Sequence, residues 1–396
     1  MSSWSNALAT AVVVSVLGGC AAGGAQPAKN AGLEPERVTL PRTVITPHGG
    51  ATVDELYQAA TADLLAGRFE RAAQGFDRLY AIEPQGRLAP HALLQAGSAL
   101  DQAGKLEEAV ARYEPLTQRF PQHELAREAL LRSVRLLAFL EDWRRAGAQA
   151  DVLLSRYPNL GSYESIVAYS GKALALIDAG DLDAASRYVE RGRTVIDERR
   201  LDAAGRVSRD LAQLYFALGE LRRIRAERIR FNPLPENFGV ALEERCQLLL
   251  DSQSAYSDTM RAYDAHWSAM AGYRVGELYQ KLHEDLMAVP TPQLANTEKR
   301  RQLFEGAMRF RYSVLLTKAL TMMEHTLNMA KRTGERSQWV QKAEEAREKI
   351  DRAVRAENAA LDRLPYTRAE LQAALDELGR QKRKAGPTTG AAAGGG

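Results

Sequence analysis

Apolar residues recur along this chain at helical spacing, and in its first half whole helical patterns repeat. Pro84, Pro121 and Pro158 lie 37 residues apart. Ala72, Ala109 and Ala146 keep that spacing, as do Leu79, Leu116 and Leu153, and Phe69, Leu106 and Trp143. Gly67 and Gly104 follow it, with Glu141 in the third slot. Several independent positions sharing one period mark a repeat architecture. Within a period the spacing predicts two helices of about 12–15 residues. A glycine between them supplies the left-handed turn, and a proline, which cannot continue a helix, ends the second. Each pair leaves an apolar face that stacking on the next pair buries.

Beyond Pro233 and Pro235 the pattern lengthens. It predicts helices from about Val240 to Tyr263, from about His266 to Met287, over 298–331, and from Ser337 to about Leu361. The third carries the stripe Leu303, Ala307, Phe310, Val314, Ala319, Met322, Met323, Leu327 and Ala330, and Gly334 stops it. Thr367 and Glu370 form a capping box for a last helix ending near Arg380. The expected fold class is therefore all-α. Tyr256, Tyr263 and Trp267 fall on one face at spacings of 7 and 4, as core packing or as an aromatic docking patch. Met322, Met323 and Met329 read as core or as an adaptable binding face.

The repeating residues resemble the tetratricopeptide repeat. The first unit carries Gly67, Phe69, Ala72, Phe76, Leu79 and Pro84. The second carries Leu93, Gly97, Leu100, Gly104, Leu106, Ala109, Tyr113, Leu116 and Pro121. The third keeps Trp143, Ala146, Leu153 and Pro158 but has Ala150 in the aromatic slot. A fourth, Gly180, Leu182, Ala185 and Val189, arrives after 39 residues. A fifth is suggested by Tyr215, Gly219 and Leu221, with Ile224 where alanine is usual. The resemblance implies a right-handed helical solenoid over residues 51–232, of roughly four to five units. A long-helix region over 233–380 follows, with a degenerate repeat at Trp267, Ala271, Tyr273, Gly276 and Tyr279.

The same resemblance implies that the first helix of each unit lines a concave face suited to an extended or helical peptide. Carried over by position, that face takes Asp54, Tyr57 and Thr61, then His91, Leu94, Ser98 and Asp101, then Glu128, Leu131, Arg135 and Phe139. It is either open to a partner or filled by the chain's own C-terminal helices. The period and the endings Arg119-Phe120-Pro121 and Arg156-Tyr157-Pro158 are similar to those of bacterial envelope repeat proteins. These include the lipoprotein subunit of the β-barrel assembly machine and the periplasmic coordinator of the Tol–Pal system. Leu248-Leu249-Leu250, Ala255-Tyr256 and the stretch Ala271–Tyr279 are similar to large repeat proteins of gliding bacteria, some assigned to envelope-spanning motility complexes.

The N-terminal pattern is different. Residues 1–19 carry no charged side chain, and Ala7–Leu17 are apolar or small. Such a run is short of the ~20 residues a bilayer span needs, and it reads as the core of a secretory signal. Leu17-Gly18-Gly19-Cys20 resembles the lipobox of bacterial lipoproteins, apart from lacking a Lys or Arg ahead of the apolar run. The resemblance implies a signal peptide over 1–19, a lipid on Cys20 and, with Ala21 following, anchorage in the outer membrane facing the periplasm. Residues 20–50, with Pro27, Pro35, Pro41 and Pro47 among glycines, read as a flexible tether. Residues 381–396 read as a disordered tail next to the basic run Arg380, Lys382, Arg383 and Lys384.

Composition narrows the chemistry. A formal net charge of +3 over 396 residues gives no reason to expect nucleic acid as a partner. Two cysteines, Cys20 and Cys246, exclude a disulfide scaffold and a cysteine zinc site. Cys246 lies in an apolar helix and reads as buried and inert. None of the six histidines has metalloprotease spacing. The His283-Glu284-Asp285 cluster reads as a solvated helix end. Phosphate-loop and nucleophile-elbow motifs are absent. The expectation is a scaffold that is not an enzyme, uses no cofactor or metal, and meets the membrane only through its lipid. Its partners would be segments of envelope proteins, with motility machinery the preferred setting. Outer-membrane protein assembly or envelope coordination is the alternative. An envelope enzyme, or an adaptor presenting a cell-wall hydrolase, is the rival.

Overall fold

The structure is a computed structural model describing residues 52–203, 208–292 and 295–374. The segments expected to be a signal peptide and a tether, with Cys20, and the C-terminal basic run lie outside these residues. Among the described residues all regular structure is helical, and no helix is long and apolar enough to cross a membrane. The chain divides into two compact units between Ala179 and Gly180.

The first unit holds α1 (Val53–Leu65), α2 (Phe69–Ile82), α3 (Ala89–Gln102), α4 (Leu106–Arg119), α5 (Leu125–Phe139), α6 (Trp143–Arg156) and α7 (Ser162–Asp178). Thr52 caps α1, its hydroxyl accepting from the Glu55 amide while the Glu55 carboxylate accepts from Thr52 N–H. Each helix packs on its neighbours in sequence, and α3 also touches α5, as α5 touches α7. That is the contact pattern of stacked helix hairpins. The repeated positions are the core: Ala72, Ala109 and Ala146, and Leu79, Leu116 and Leu153, have no exposed surface. Phe76 and Tyr113 are equally buried, and Ala150 fills the third aromatic slot. The left-handed turns after α1 and α3 fall on Gly67 and Gly104, at φ 73° and 76°. Arg112 of α4 forms a two-pronged pair with Asp77 of α2, at 2.9 and 3.0 Å. Arg145 of α6 reaches Glu114 of α4 at 2.9 Å, so the acidic repeat position of Asp77 is again paired, from an arginine one turn earlier on the next helix.

The second unit holds α8 (Leu182–Arg199), α9 (Arg209–Arg228), α10 (Phe238–Met260), α11 (Ala265–Met287), α12 (Glu298–Thr333) and α13 (Gln338–Asp362). Residues 368–374 are again helical behind the Thr367–Glu370 capping pair. Gly334 ends α12 in the left-handed conformation. Here α9 packs on α10 and α11, and α13 packs on α11 and α12. The compact units part between Ala179 and Gly180, whereas the repeat pattern predicts an array running to residue 232. The helix assigned to a fifth repeat packs with the long helices, and the prolines at 233 and 235 interrupt the chain without interrupting that packing.

The expected aromatic face does not form. The helix ends at Met260, and Asp264 starts the next one by accepting the Trp267 amide at 3.0 Å while pairing with Arg209 at 2.6 Å. Tyr256 and Trp267 go into the core, whereas Tyr263 sits in the turn at φ 55° and is 76% exposed. Met323 is buried, and Met322 and Met329 are half-buried. Cys246 is buried, and burial pushes its thiol up to about 11, so it is no nucleophile near neutrality.

Candidate interaction face and a buried charge centre

In the first unit α3, α5 and α7 lie side by side, so the side chains they turn away from α2, α4 and α6 form one face. Their placement follows the 37-residue period. Tyr57, Leu94, Leu131 and Ala168 occupy one repeat position, and all four are core residues. Three residues expected on the binding face are therefore corrected: Tyr57 packs edge-on against Phe76 at 5.5 Å, and Leu94 and Leu131 are 8% and 2% exposed. The face position is one residue later, at Gln58, Gln95, Arg132 and Tyr169. Of these Gln58 is exposed and the others are half-buried. A helix turns by about 100° per residue, so a one-residue misassignment moves a side chain from groove to core.

The other expected residues are half-buried: Asp54, Thr61, His91, Ser98, Asp101, Glu128, Arg135 and Phe139. Some of them meet. The His91 ring stands edge-on to His123 at 5.5 Å. Arg132 joins two helices, donating to Glu128 at 2.6 Å and to Ser98 of α3 at 3.1 Å. Its guanidinium also faces the Tyr113 hydroxyl, whose titration burial pushes upward. Arg127 of α5 pairs with Glu164 of α7, and the Glu164 carboxylate also accepts the Gly161 N–H at 2.6 Å. Sequence reasoning passed over Arg132, although the period that identified Arg135 places it too. The face thus combines both signs of charge with hydrogen-bonding groups and the Phe139 ring. That mixture of groups suits contact with a protein segment.

The second unit contains a centre that no motif announced. Glu220 of α9, 6% exposed, meets Arg223 of the same helix at 2.8 Å and Arg274 of α11 at 3.0 Å. Tyr256 of α10 donates its hydroxyl to the same carboxylate at 2.5 Å. Arg223 continues to Glu227 at 2.9 Å, and Arg274 to Glu277 at 2.6 Å. The Arg274 guanidinium lies 5.0 Å from the centre of the Trp339 ring of α13, and Lys342 lies 4.0 Å from it. Burial alone would push the Glu220 carboxyl up. Arg274 and Arg223, with the bonds from Arg223 and Tyr256, outweigh burial and hold it below the usual range. A carboxylate so committed has no proton to exchange, and its work is to fix α9, α10 and α11 against one another.

The His283-Glu284-Asp285 cluster is corrected as well. His283 is 5% exposed, Glu284 binds Lys349 of α13 at 3.1 Å, and Asp285 pairs with buried Arg245 of α10. The cluster thus joins three helices, with His283 buried, Asp285 half-buried and Glu284 exposed to solvent. Among the described residues no group of three or more His, Cys, Asp or Glu could hold a metal ion.

No protein-family model and no curated protein matches this sequence. Among solved structures, a crystal structure of a tetratricopeptide repeat protein from Parabacteroides merdae ATCC 43184 is 16% identical, covering 70% of this chain and 97% of that one, with a TM-score of 0.34. A circular tandem repeat protein with novel repeat topology and enhanced subunit contact surfaces is 15% identical, covering 83% and 91%, with a TM-score of 0.17. The all-α repeat assignment rests on the chain's own period and packing.

Proposed function

We propose that this chain is a non-enzymatic scaffold lipoprotein of the bacterial envelope, and that the face of α1, α3, α5 and α7 holds a segment of a partner protein. The observation that carries the reading is the side-by-side packing of α3, α5 and α7, with Arg132 of α5 bonded both to Glu128 of its own helix and to Ser98 of α3. Stacked repeats use such faces for extended or helical peptides. The apolar run ending at Gly19-Cys20 supports a lipid anchor in the outer membrane, with residues 21–50 as the tether. Motility machinery is the proposed setting, on the likeness of the stretch Ala271–Tyr279 to repeat proteins of gliding bacteria.

The test is recovery of partners from envelope fractions by the full chain carrying Arg135→Glu and Phe139→Glu together. Arg144→Glu, on the exposed side of α6, serves as the control. The double variant should lose partners that the control retains, and equal recovery by both removes the face from consideration. Cys20→Ser should move the protein from the membrane to the soluble periplasm. Retention at the membrane contradicts lipidation. Loss of gliding in a deletion strain, restored by the wild-type chain, would tie the scaffold to motility, whereas normal gliding rejects that setting.

A further inference from the structure

α11, which carries His283, packs on both α12 and α13, and these two pack on each other. The His283 ring is buried, and its Nε2 makes no hydrogen bond with the described residues. Two charges from the neighbouring helices act on it, Arg309 of α12 against its protonation and Glu357 of α13 for it. These two are themselves paired, Arg309 Nη1 lying 2.7 Å from both carboxylate oxygens. On its own helix His283 faces Glu284, which binds Lys349 of α13. The charge that α10 brings to this part of α11, Arg245, is taken up by Asp285.

We propose that His283 is an acid sensor, and that its protonation loosens α13 from α11 and α12. An imidazolium carries a proton on both nitrogens. Protonation in the packed arrangement therefore leaves a charged N–H donor at Nε2 with no acceptor, in the repulsive field of Arg309. The carboxylate able to answer it is Glu357, which already accepts both its bonds from Arg309. Relief requires Glu357 to leave Arg309, or water to enter. The first breaks the pair that ties α13 to α12, and the second wets the packing between α11 and α13. The direction of titration agrees: burial pushes the ring's pKa down and Arg309 adds to that, against Glu357 and Glu284. The folded state thus favours the neutral ring. The packed arrangement is fully stable above the ordinary histidine value of 6.5, and it loses stability as pH falls below that toward the lowered folded value.

Hydrogen exchange of the full chain at about pH 7.5 and about pH 5, corrected for intrinsic rates, spans the histidine range and tests this. In the wild type, amides of 338–362 should lose protection on acidification by up to about tenfold per pH unit, the limit for one proton. Amides of α9 and α10 should hold theirs. In His283→Gln the response of 338–362 should vanish. His283→Leu, which keeps apolar volume at the site, gives the same reading should the glutamine variant fold poorly. Unchanged protection of α13 in the wild type overturns the proposal. So does an equal acid response in the His283 variants, which would assign it to the carboxylates.

Discussion

Glu141 holds the backbone at φ 62°, the conformation that Gly67 and Gly104 hold at the equivalent turns. A side chain in that region costs roughly 1–2 kcal/mol, because its Cβ crowds the following carbonyl. A Cβ at Gly104 would meet no atom within 4 Å, so substitution there isolates the backbone effect. Glu141→Gly should raise stability by about 1 kcal/mol, less what glycine adds to the freedom of the unfolded chain. Gly104→Ala should lower it by about the same amount. Denaturant midpoints at constant slope measure both, and an E141G midpoint below wild type would refute the strain argument. Glu220 makes the opposite case, a residue whose surroundings are complete. Arg274→Met removes one of its two guanidiniums and should cost about 3 kcal/mol, as breaking a buried pair does. With the Glu220 carboxyl held below its ordinary value of 4.5, its contribution is present above that value and is lost as pH falls through the lowered folded one. Glu220→Gln should therefore be less stable than wild type at neutral pH and show a flatter acid limb. An unaltered acid limb would mean that other carboxylates govern acid unfolding.

At the scale of helices, one packing device recurs in both units. Gly97 of α3 receives the ring of Tyr113 of α4, whose hydroxyl faces Arg132 of the next first-position helix. Gly219 of α9 receives the ring of Tyr256 of α10, and that hydroxyl meets the carboxylate held by Arg274 of α11. The first instance was legible in the sequence, because its helices have 14 residues each and keep the repeat period. The second was hidden: α9 and α10 have 20 and 23 residues, and the segment between them is long, so glycine and tyrosine lie 37 residues apart instead of 16. Periodicity detects a contact only while helix lengths stay constant. At Gly219 an added Cβ would come within 2.5 Å of the Tyr256 ring, and the ring cannot retreat without breaking its bond to Glu220. Gly97→Ala and Gly219→Ala should each destabilise by about 1–3 kcal/mol, the usual effect of overpacking. Thermal unfolding of the two variants checks this, and a neutral Gly219→Ala would show that Tyr256 has another place to go.

For the molecule as a whole, what the sequence concealed was long-range. The helices, their capping residues and the repeated core could be read because they depend on neighbours within a turn or a period. The Glu220 centre joins residues 36 and 54 positions away (256 − 220 and 274 − 220), and the three-helix junction at His283 joins α11 to α13, so neither leaves a local signature. The charge balance, which is legible, bears on how partners would arrive. The net charge is +3 over 396 residues, and the proposed face mixes Asp101 and Glu128 with Arg132 and Arg135. Fields of opposite sign cancel within about one Debye length, ~8 Å at physiological salt, so such a face attracts little from a distance. Association with a purified partner should then proceed at an unsteered rate of about 10⁵–10⁶ M⁻¹ s⁻¹, with little change as salt is raised from about 50 to about 200 mM, a range over which steered rates fall steeply. Stopped-flow mixing at several salt concentrations measures it. A steep fall would mean that charge outside this face brings the partner in. The run Arg380, Lys382, Arg383 and Lys384 is the densest cationic segment available to do so, and changing those four residues to Gln should then abolish the salt dependence while leaving the sensitivity to Arg135→Glu intact.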